Sequence, residues 1–491
     1  MSGTSRPAPA PSSSTGAPPP PAPRLEELRR CLEAGQRLPT ETLAAGLADP
    51  EPIIRRAYAW AAGELRALEL RPVLEAALDD PDPTVRSTSV EALGALADPA
   101  SQAVLERALA DPAPRVRAQA AWALWSIRPE GSRPALERLL GDPVDEVRWS
   151  AIVALGRLSG SASGSPLRQA LTDPSDRVRR EAIHALTRTE GQTVADSIRP
   201  LLSDEADRVR IAAAVALGSL RDRRAVPELL VQLERADTWG KPALLVALGR
   251  IGDPASVAAV RAQLSDRASW NRVCAARALA EVSPSEALGP LRAALDDTSW
   301  AVRGAAAEAL GRVGSEADLA RLVARLDDPH PWPRRGALYA LGRLGLTEAA
   351  PRVRPELEHP SVEVRLAAVW CLGRVGAAED QGPLAQLLQS AQPARGEGFT
   401  VAEGDGAVKL LSDAGTRLFD TLVQALGRLR STGAPEPATQ ALLAARARLP
   451  GSGGDRPARL PPPESEGPGP VPTLGELFRR ALSEPAEGSN G

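Results

Sequence analysis

The stretch DPAPRVRAQAAWALW, residues 111–125, decides the fold because it recurs along the chain. Related segments begin at Asp80 (DPDPTVRSTSVEALG), Asp142 (DPVDEVRWSAIVALG) and Asp173 (DPSDRVRREAIHALT), so that consecutive starts lie 31 residues apart. Self-similarity at a fixed period of this length is typical of stacked repeat architectures. We number positions in each repeat from its aspartate, which is position zero.

The repeat extends well beyond these four copies. A leucine lies two residues before every repeat start, at Leu47, Leu78, Leu109, Leu140, Leu171, Leu202, Leu233, Leu264, Leu295, Leu326, Leu357 and Leu388. A second leucine follows at position thirteen, from Leu93 through Leu372. Apolar residues on both sides of the Asp-Pro turn have helical spacing, so each repeat is predicted to be a helix, a turn and a second helix that a glycine ends.

One such hairpin cannot be stable alone. It buries a few large side chains, each worth about 1.5–3 kcal/mol, whereas ordering each of its residues costs about 1–2 kcal/mol of backbone entropy. Neighbouring hairpins must therefore stack. The sequence predicts an all-α fold, an α-solenoid of about twelve 31-residue helical hairpins with disordered tails.

The consensus DPxxxVRxxAxxALGxLGDP resembles the HEAT repeat, and more closely its short bacterial form, the PBS-lyase HEAT-like repeat, over residues 38–390. The resemblance implies that the second helices line a concave surface and that the basic residue at position six pairs with the turn aspartates in a ladder between repeats. Those basic residues are Arg55, Arg86, Arg117, Arg148, Arg179, Arg210, Lys241, Arg272, Arg303, Arg334 and Arg365. Function does not follow from this fold, which serves scaffolds, lyases and other enzymes.

Breaks in the pattern predict the domain organisation. In the seventh repeat Arg235 replaces the aspartate and Pro242 delays the second helix, which predicts a weak joint. We therefore expect an N-terminal arm at 24–234 and a C-terminal arm at 235–449, with an inserted loop at 391–412. Residues 1–23 and 450–472 are rich in proline, glycine or serine and are predicted to be disordered.

Residues 473–491 are predicted to contain a short amphipathic helix that acts as a docking peptide. The residues on its apolar face are Leu474, Leu477, Phe478 and Leu482. Either a partner or the C-terminal end of the solenoid could receive this peptide.

The composition offers little support for catalysis. The net charge is −3, three cysteines lie far apart, and the three histidines have no nearby second ligand. No Walker loop, nucleophile elbow or Cys-x-x-Cys pair occurs. We therefore expect no enzymatic activity, no metal site and no cofactor, and a cytoplasmic protein without a membrane span.

Tryptophan and arginine are the residues that the repeat does not explain. The second-helix positions that point away from the repeat's own core carry most of the aromatic side chains, together with arginines at position fifteen. Aromatic and arginine side chains are favoured anchors of protein interfaces. The candidate partner-binding residues are Trp60, Trp122, Trp125, Trp149, His184, Tyr339, Trp370, Arg157, Arg188, Arg250, Arg312, Arg343 and Arg374.

Three functions remain open at this point. The leading hypothesis is a protein–protein interaction scaffold whose groove binds a proline-rich or acidic segment. A chromophore-handling subunit similar to phycobilin lyases is an alternative that the family resemblance implies. Nucleic-acid binding is a further alternative, against which the net negative charge argues.

Overall fold

The computed structural model describes residues 21–33, 38–128, 130–158 and 164–390, and short stretches between 421 and 444. These residues form helices and turns without any strand, which confirms the all-α solenoid. The residues of the predicted inserted loop, the linker and the C-terminal docking peptide lie outside the described part of the chain. The first helix begins at Pro21, within the predicted N-terminal tail.

The α-helices are α1 Pro21–Glu33, α2 Thr40–Leu47, α3 Pro52–Glu64, α4 Arg71–Ala76, α5 Pro83–Leu96, α6 Gln102–Ala108, α7 Pro114–Ile127, α8 Arg133–Arg138, α9 Asp145–Arg157, α10 Gly164–Gln169, α11 Asp176–Glu190, α12 Ala195–Ile198, α13 Asp207–Ser219, α14 Val226–Arg235, α15 Lys241–Ile251, α16 Val257–Ala262, α17 Ser269–Val282, α18 Pro284–Ala294, α19 Trp300–Val313, α20 Leu319–Ala324, α21 Pro331–Leu344, α22 Ala350–Val353, α23 Val362–Val375 and α24 Gln381–Ser390. From α2 onward, even numbers are first helices of repeats and odd numbers are second helices. Short 3₁₀ turns extend most first helices.

The second helices begin at the Asp-Pro turn as the sequence predicts. The carboxylate of Asp80 accepts a hydrogen bond from the backbone N–H of Asp82, at 2.9 Å, which fixes the turn. Proline then occupies the first turn of α3, α5, α7 and α21, where its fixed φ suits the helix and its missing N–H costs nothing.

The described helices divide into two compact units between Ala216 and Leu217. In the first unit, consecutive second helices α3, α5, α7, α9 and α11 contact one another, and in the second unit α15, α17, α19, α21 and α23 do so. The leucines at position thirteen form their cores, where Leu124, Leu217 and Leu310 are buried.

The glycine at position fourteen has a role that the sequence analysis did not assign. In the described structure Gly191, Gly252 and Gly345 end second helices with a positive φ, while Ala97 and Arg128 take this place in other repeats. The position-fourteen glycine lies inside its helix, against the next second helix. A Cβ on Gly94 would lie 2.9 Å from the Cα of Ala123, so only glycine allows this approach.

The predicted ladder of ion pairs is present in both units. In each arginine pair, Nε and Nη2 of the position-six side chain face both carboxylate oxygens of the next repeat's aspartate. The pairs are Arg55–Asp80, Arg86–Asp111, Arg117–Asp142, Arg148–Asp173 and Arg179–Asp204 in the first unit, and Lys241–Asp266 (through Nζ), Arg272–Asp297 and Arg303–Asp328 in the second.

The ladder also fixes the charge state of its carboxylates. Partial burial would raise the pKa of Asp111, but the hydrogen bonds from Arg86 and from the backbone N–H of Ala113 outweigh it, so the pKa lies below its usual value. The same balance holds at Asp142 and Asp297. These position-six arginines are therefore structural and are not available as a row of phosphate ligands.

Two departures interrupt the ladder. Arg210 pairs with Asp207 on its own helix, since the next repeat has Arg235 at the acceptor position. His359 replaces the aspartate of its repeat but keeps the turn, because its Nδ1 accepts a hydrogen bond from the backbone N–H of Ser361 at 3.0 Å. Arg334 therefore pairs with Glu356 in place of an aspartate. The helix of the seventh repeat, α15, starts six residues after the repeat start, which confirms the predicted late start.

Candidate protein-binding surface

The predicted binding residues of the first unit lie on its second helices with part or most of their surface open. Trp60 is 47% exposed, and the side chains of Trp122, Trp125 and Trp149 are half-buried. His184 is exposed, as are the position-fifteen arginines Arg157 and Arg188.

Three of these tryptophans form one cluster across α7 and α9. The ring of Trp122 meets Trp125 and Trp149 edge to face, with centroids 5.5 Å apart in both pairs. The guanidinium of Arg157 lies 4.1 Å from the centroid of Trp125, and that of Arg177 lies 3.7 Å from Trp149. We call these five residues the tryptophan cluster. Both distances fit cation–π contact.

Local sequence explains why the cluster forms here. Trp125 occupies position fourteen, where the neighbouring repeats have the packing glycines Gly94 and Gly156. An indole at this position cannot permit the close helix approach that glycine allows, so it lies beside Trp122 under Arg157. The indole Nε1 of Trp149 is buried without a hydrogen-bond partner in the described structure.

Trp60 lies in a different groove. The residues around it include Leu25 of α1 and Ile53 and Arg56 of α3. The structure thus brings together Trp122, Trp125, Trp149 and Arg157 of the predicted set, and it places Trp60 elsewhere in the first unit.

In the second unit, Trp370 and Tyr339 lie at position eleven of their repeats, and the prediction that they belong to an open binding surface is wrong. Trp370 and Tyr339 are buried, at 1% and 4% exposure, so neither offers an open aromatic surface. The cause is Gly342 on the neighbouring helix, where a Cβ would lie 2.6 Å from the Trp370 ring. The indole fills the space that this glycine leaves, and Tyr339 meets it edge to face at 5.3 Å.

The exposed aromatic residues of the second unit are ones that the prediction did not select. Trp239, Trp270 and Trp300, at the start of consecutive second helices or just before them, are 87%, 59% and 43% exposed. Trp300 also stacks on His330, with ring centroids 4.1 Å apart. Their shared place at position three or four of the repeat was the available sequence signal.

Several of the predicted arginines already have partners. Arg312 forms an ion pair with Glu281 at 3.0 Å, and Nε of Arg188 donates to the carbonyl of Gly156 at 3.1 Å. The guanidinium of Arg374 lies 4.6 Å from the centroid of Trp370. Arg250 and Arg374 are exposed and Arg343 is half-buried.

The described residues contain no group of histidine, cysteine, aspartate or glutamate that could hold a metal ion. Burial raises the pKa of the Cys371 and Cys274 thiols, which keeps both protonated and unreactive. No helix in the described ranges is long and apolar enough to cross a membrane.

Comparison with known families now places this repeat. A model of HEAT repeats matches residues 40–124, 103–187, 164–241, 195–272, 257–342 and 320–397. The chain belongs to the HEAT-repeat family. Arrays of HEAT repeats are scaffolds whose extended surfaces are capable of protein interaction. No curated protein sequence matches the chain.

Solved structures agree with this fold. A crystal structure of importin beta, 16% identical, covers 93% of this chain and 70% of its own length with a TM-score of 0.58. A structure of the Kap95:Nup1 complex, 13% identical, covers 88% and 68% with a TM-score of 0.55. At these identities the likeness shows the fold alone. The phycocyanin lyase complex of CpcE and CpcF from Nostoc sp. PCC7120 is 24% identical, covers 52% and 94%, and has a TM-score of 0.26.

Proposed function

We propose that this HEAT-repeat chain is a non-enzymatic cytoplasmic adaptor that binds a segment of a partner protein on its second helices. The tryptophan cluster carries the proposal. Three large rings remain partly exposed there, in a chain with only 3% aromatic residues. Clusters of tryptophan and arginine with open surface are typical of interface hot spots.

The chemistry of the cluster favours a proline-rich segment, with acidic residues beside it. Proline rings stack on indole faces, and a polyproline II helix has carbonyl oxygens without internal hydrogen bonds. The guanidinium groups of Arg157 and Arg177, held over the rings, would pair with carboxylates of the same segment.

The two alternative functions gain no specific support. Nucleic-acid binding would need many free arginines, but the position-six arginines described above are engaged with carboxylates in the ladder. The likeness to the phycocyanin lyase complex has a TM-score of 0.26, so a chromophore-handling role stays a prediction from the family resemblance.

The test compares the intact protein with a Trp122→Ala/Trp125→Ala variant in titrations with a fluorescent decaproline peptide. We expect affinity to fall by about tenfold or more, because two stacking surfaces are lost. Trp239→Ala is the matched control, since Trp239 is 87% exposed and far along the sequence from the cluster.

A second variant separates binding from folding. Arg157→Gln/Arg177→Gln leaves the three rings in place, and we expect it to weaken capture of a peptide with both prolines and glutamates more than capture of decaproline. Equal affinity of the intact protein and the tryptophan variant, with unchanged helical content, would contradict the proposal.

The C-terminal peptide, with Leu474, Leu477, Phe478 and Leu482, lies outside the described residues. We propose that it docks on a partner or on the last repeats and competes there with other ligands. Deleting residues 473–491 should change the affinity for a captured partner. An unchanged affinity would argue against a competing role.

A further inference from the structure

The first helix begins with a sequence motif that occurs a second time near the C-terminus. Helix α1 starts with PAPRLEEL, residues 21–28, and the sequence that leads into the docking peptide, residues 470–477, is PVPTLGEL. Five of the eight positions are identical, namely two prolines, two leucines and a glutamate, and no other stretch of the chain has this pattern. We call residues 470–484 the tail segment.

The first copy of the motif docks on the first repeat. Helix α1 packs on α3. Leu28 is only 4% exposed, and Leu25 lines the groove beside Trp60. The motif therefore already serves as a docking element within this chain, and the groove at Trp60 belongs to the surface that receives it.

Helix α1 leaves part of this groove empty. A cavity of about 330 Å³ remains beside Leu25, and Ile53 and Trp60 on its wall are 46% and 47% exposed. One turn further along the same face of α1 lies Arg29, whose side chain is mostly in solvent and pairs with Glu26 at 2.7 Å. A charged side chain at this place does not cover the apolar wall.

The tail segment has a phenylalanine where α1 has this arginine. Counted from the shared leucines, Phe478 corresponds to Arg29, so that Leu474, Leu477 and Phe478 share the predicted apolar face. A cavity of about 150 Å³ already admits a benzene ring, so the groove has room for the phenyl group. The tail segment therefore matches the groove better than α1 does.

Charged residues at the rim of the groove also suit this segment. Arg56, Glu91 and Arg115 are exposed, and none of them forms an ion pair within the described ranges. The tail segment has Glu476 three residues before Arg479, so it offers both an acid and a base to this mixed rim. A ligand with charges of one sign would place like charges together.

We propose that the tail segment of a second copy displaces α1 and binds the groove at Trp60. This inference rests on the proposed docking role of residues 473–491 and names the partner. As the flexible coil that its composition predicts, the stretch from Leu442 to Pro470 spans about 30 Å on average. This is the width of about three packed helices, whereas the groove lies in the first repeat and Leu442 beyond the twelfth.

The contact joins the tail of one copy to the first repeat of the next. It is heterologous, because the two surfaces differ, and such contacts continue into rings or open chains of copies. Self-association through this groove should therefore depend on protein concentration and proceed beyond the dimer.

The first experiment titrates the full chain with a fluorescent peptide of residues 470–484. We expect Trp60→Ala to weaken binding by about tenfold, because this ring borders the cavity that Phe478 fills. Trp239→Ala is the matched control, a tryptophan of the second unit that is 87% exposed. Phe478→Arg in the peptide, which introduces the residue of α1, should weaken binding by a similar factor. Unchanged affinity of Trp60→Ala would overturn the groove as the site.

A variant of α1 tests the displacement. Leu28→Ala loosens the packing of α1, so the peptide should bind about threefold to tenfold more tightly to this variant, since less of the groove is occupied by α1. Equal or weaker binding would overturn the displacement of α1.

Sedimentation velocity of the full chain at rising concentration tests the second copy. We expect species larger than a monomer, which disappear on deletion of residues 473–491 and in Trp60→Ala. A monomer at every concentration, with the peptide still binding, would overturn the second copy as the source of the segment. Trp122→Ala/Trp125→Ala should leave this association unchanged. If the deletion changes capture of another protein but not self-association, the docking role stands and this inference fails.

Discussion

Replacing Asp111 with asparagine should cost far more stability than the same change at Asp79, although both aspartates form ion pairs with arginine. Asp111 faces Nε and Nη2 of Arg86 at 2.7 and 2.8 Å, and both side chains are about nine-tenths buried. Asp79 meets Arg107 at 3.4 Å, with most of both side chains in solvent.

The magnitude follows from what remains in the variant. Asparagine can still accept the backbone N–H of Ala113, but its NH₂ group faces the Arg86 guanidinium and leaves a buried charge without a counter-ion. Removing one partner of a buried pair costs about 3–5 kcal/mol, and the remaining solvent contact favours the lower end of this range. The exposed pair is worth about 0–1 kcal/mol.

The assay is hydrogen exchange on α5 and α7 together with urea unfolding, because stacked repeats do not always unfold in one step. Protection in both helices should fall sharply for Asp111→Asn and stay near wild type for Asp79→Asn. Equal effects of the two variants, or a loss below about 0.5 kcal/mol at Asp111, would refute the structural role of the ladder.

Three further predictions follow from the same packing. The folded-state pKa values of Asp111, Asp142 and Asp297 are lowered, so these carboxylates stabilise the fold fully above the unfolded pKa of about 3.9. This stabilisation is lost as pH falls through the folded pKa. Thermal unfolding should therefore show stability declining below about pH 5, and a flat profile from pH 5 to 2 would contradict this. Gly94→Ala should destabilise the first unit by about 1 kcal/mol, because its new Cβ would overpack against Ala123. Gly141→Ala, where a Cβ would meet open space, should be neutral or slightly stabilising in the same unfolding assay. Hydrogen exchange should show residues 235–245 opening before the repeats on either side, and uniform protection would argue against a weak joint there.

Some features could be predicted without the tertiary structure because they recur in every repeat. The 31-residue period, the Asp-Pro turn and the leucine register predicted the helical hairpins and their stacking, since a hairpin of this size cannot bury enough surface alone. The resemblance to HEAT repeats implied the ladder, and the regular spacing explains why it recurs: an arginine and an aspartate at fixed positions meet in the same way at each joint between regular repeats.

Exposure at a single position could not be predicted in this way. Trp60 and Trp370 both occupy position eleven, yet one is 47% exposed and the other 1%. The difference lies in the neighbouring helix, where Gly342 leaves room for the ring of Trp370. The sequence by itself determined the repeat, the helices and the ion pairs, because these depend on residues at fixed spacings. Only the tertiary structure decided which aromatic and basic side chains remain accessible, because that depends on the shapes of two adjacent repeats together.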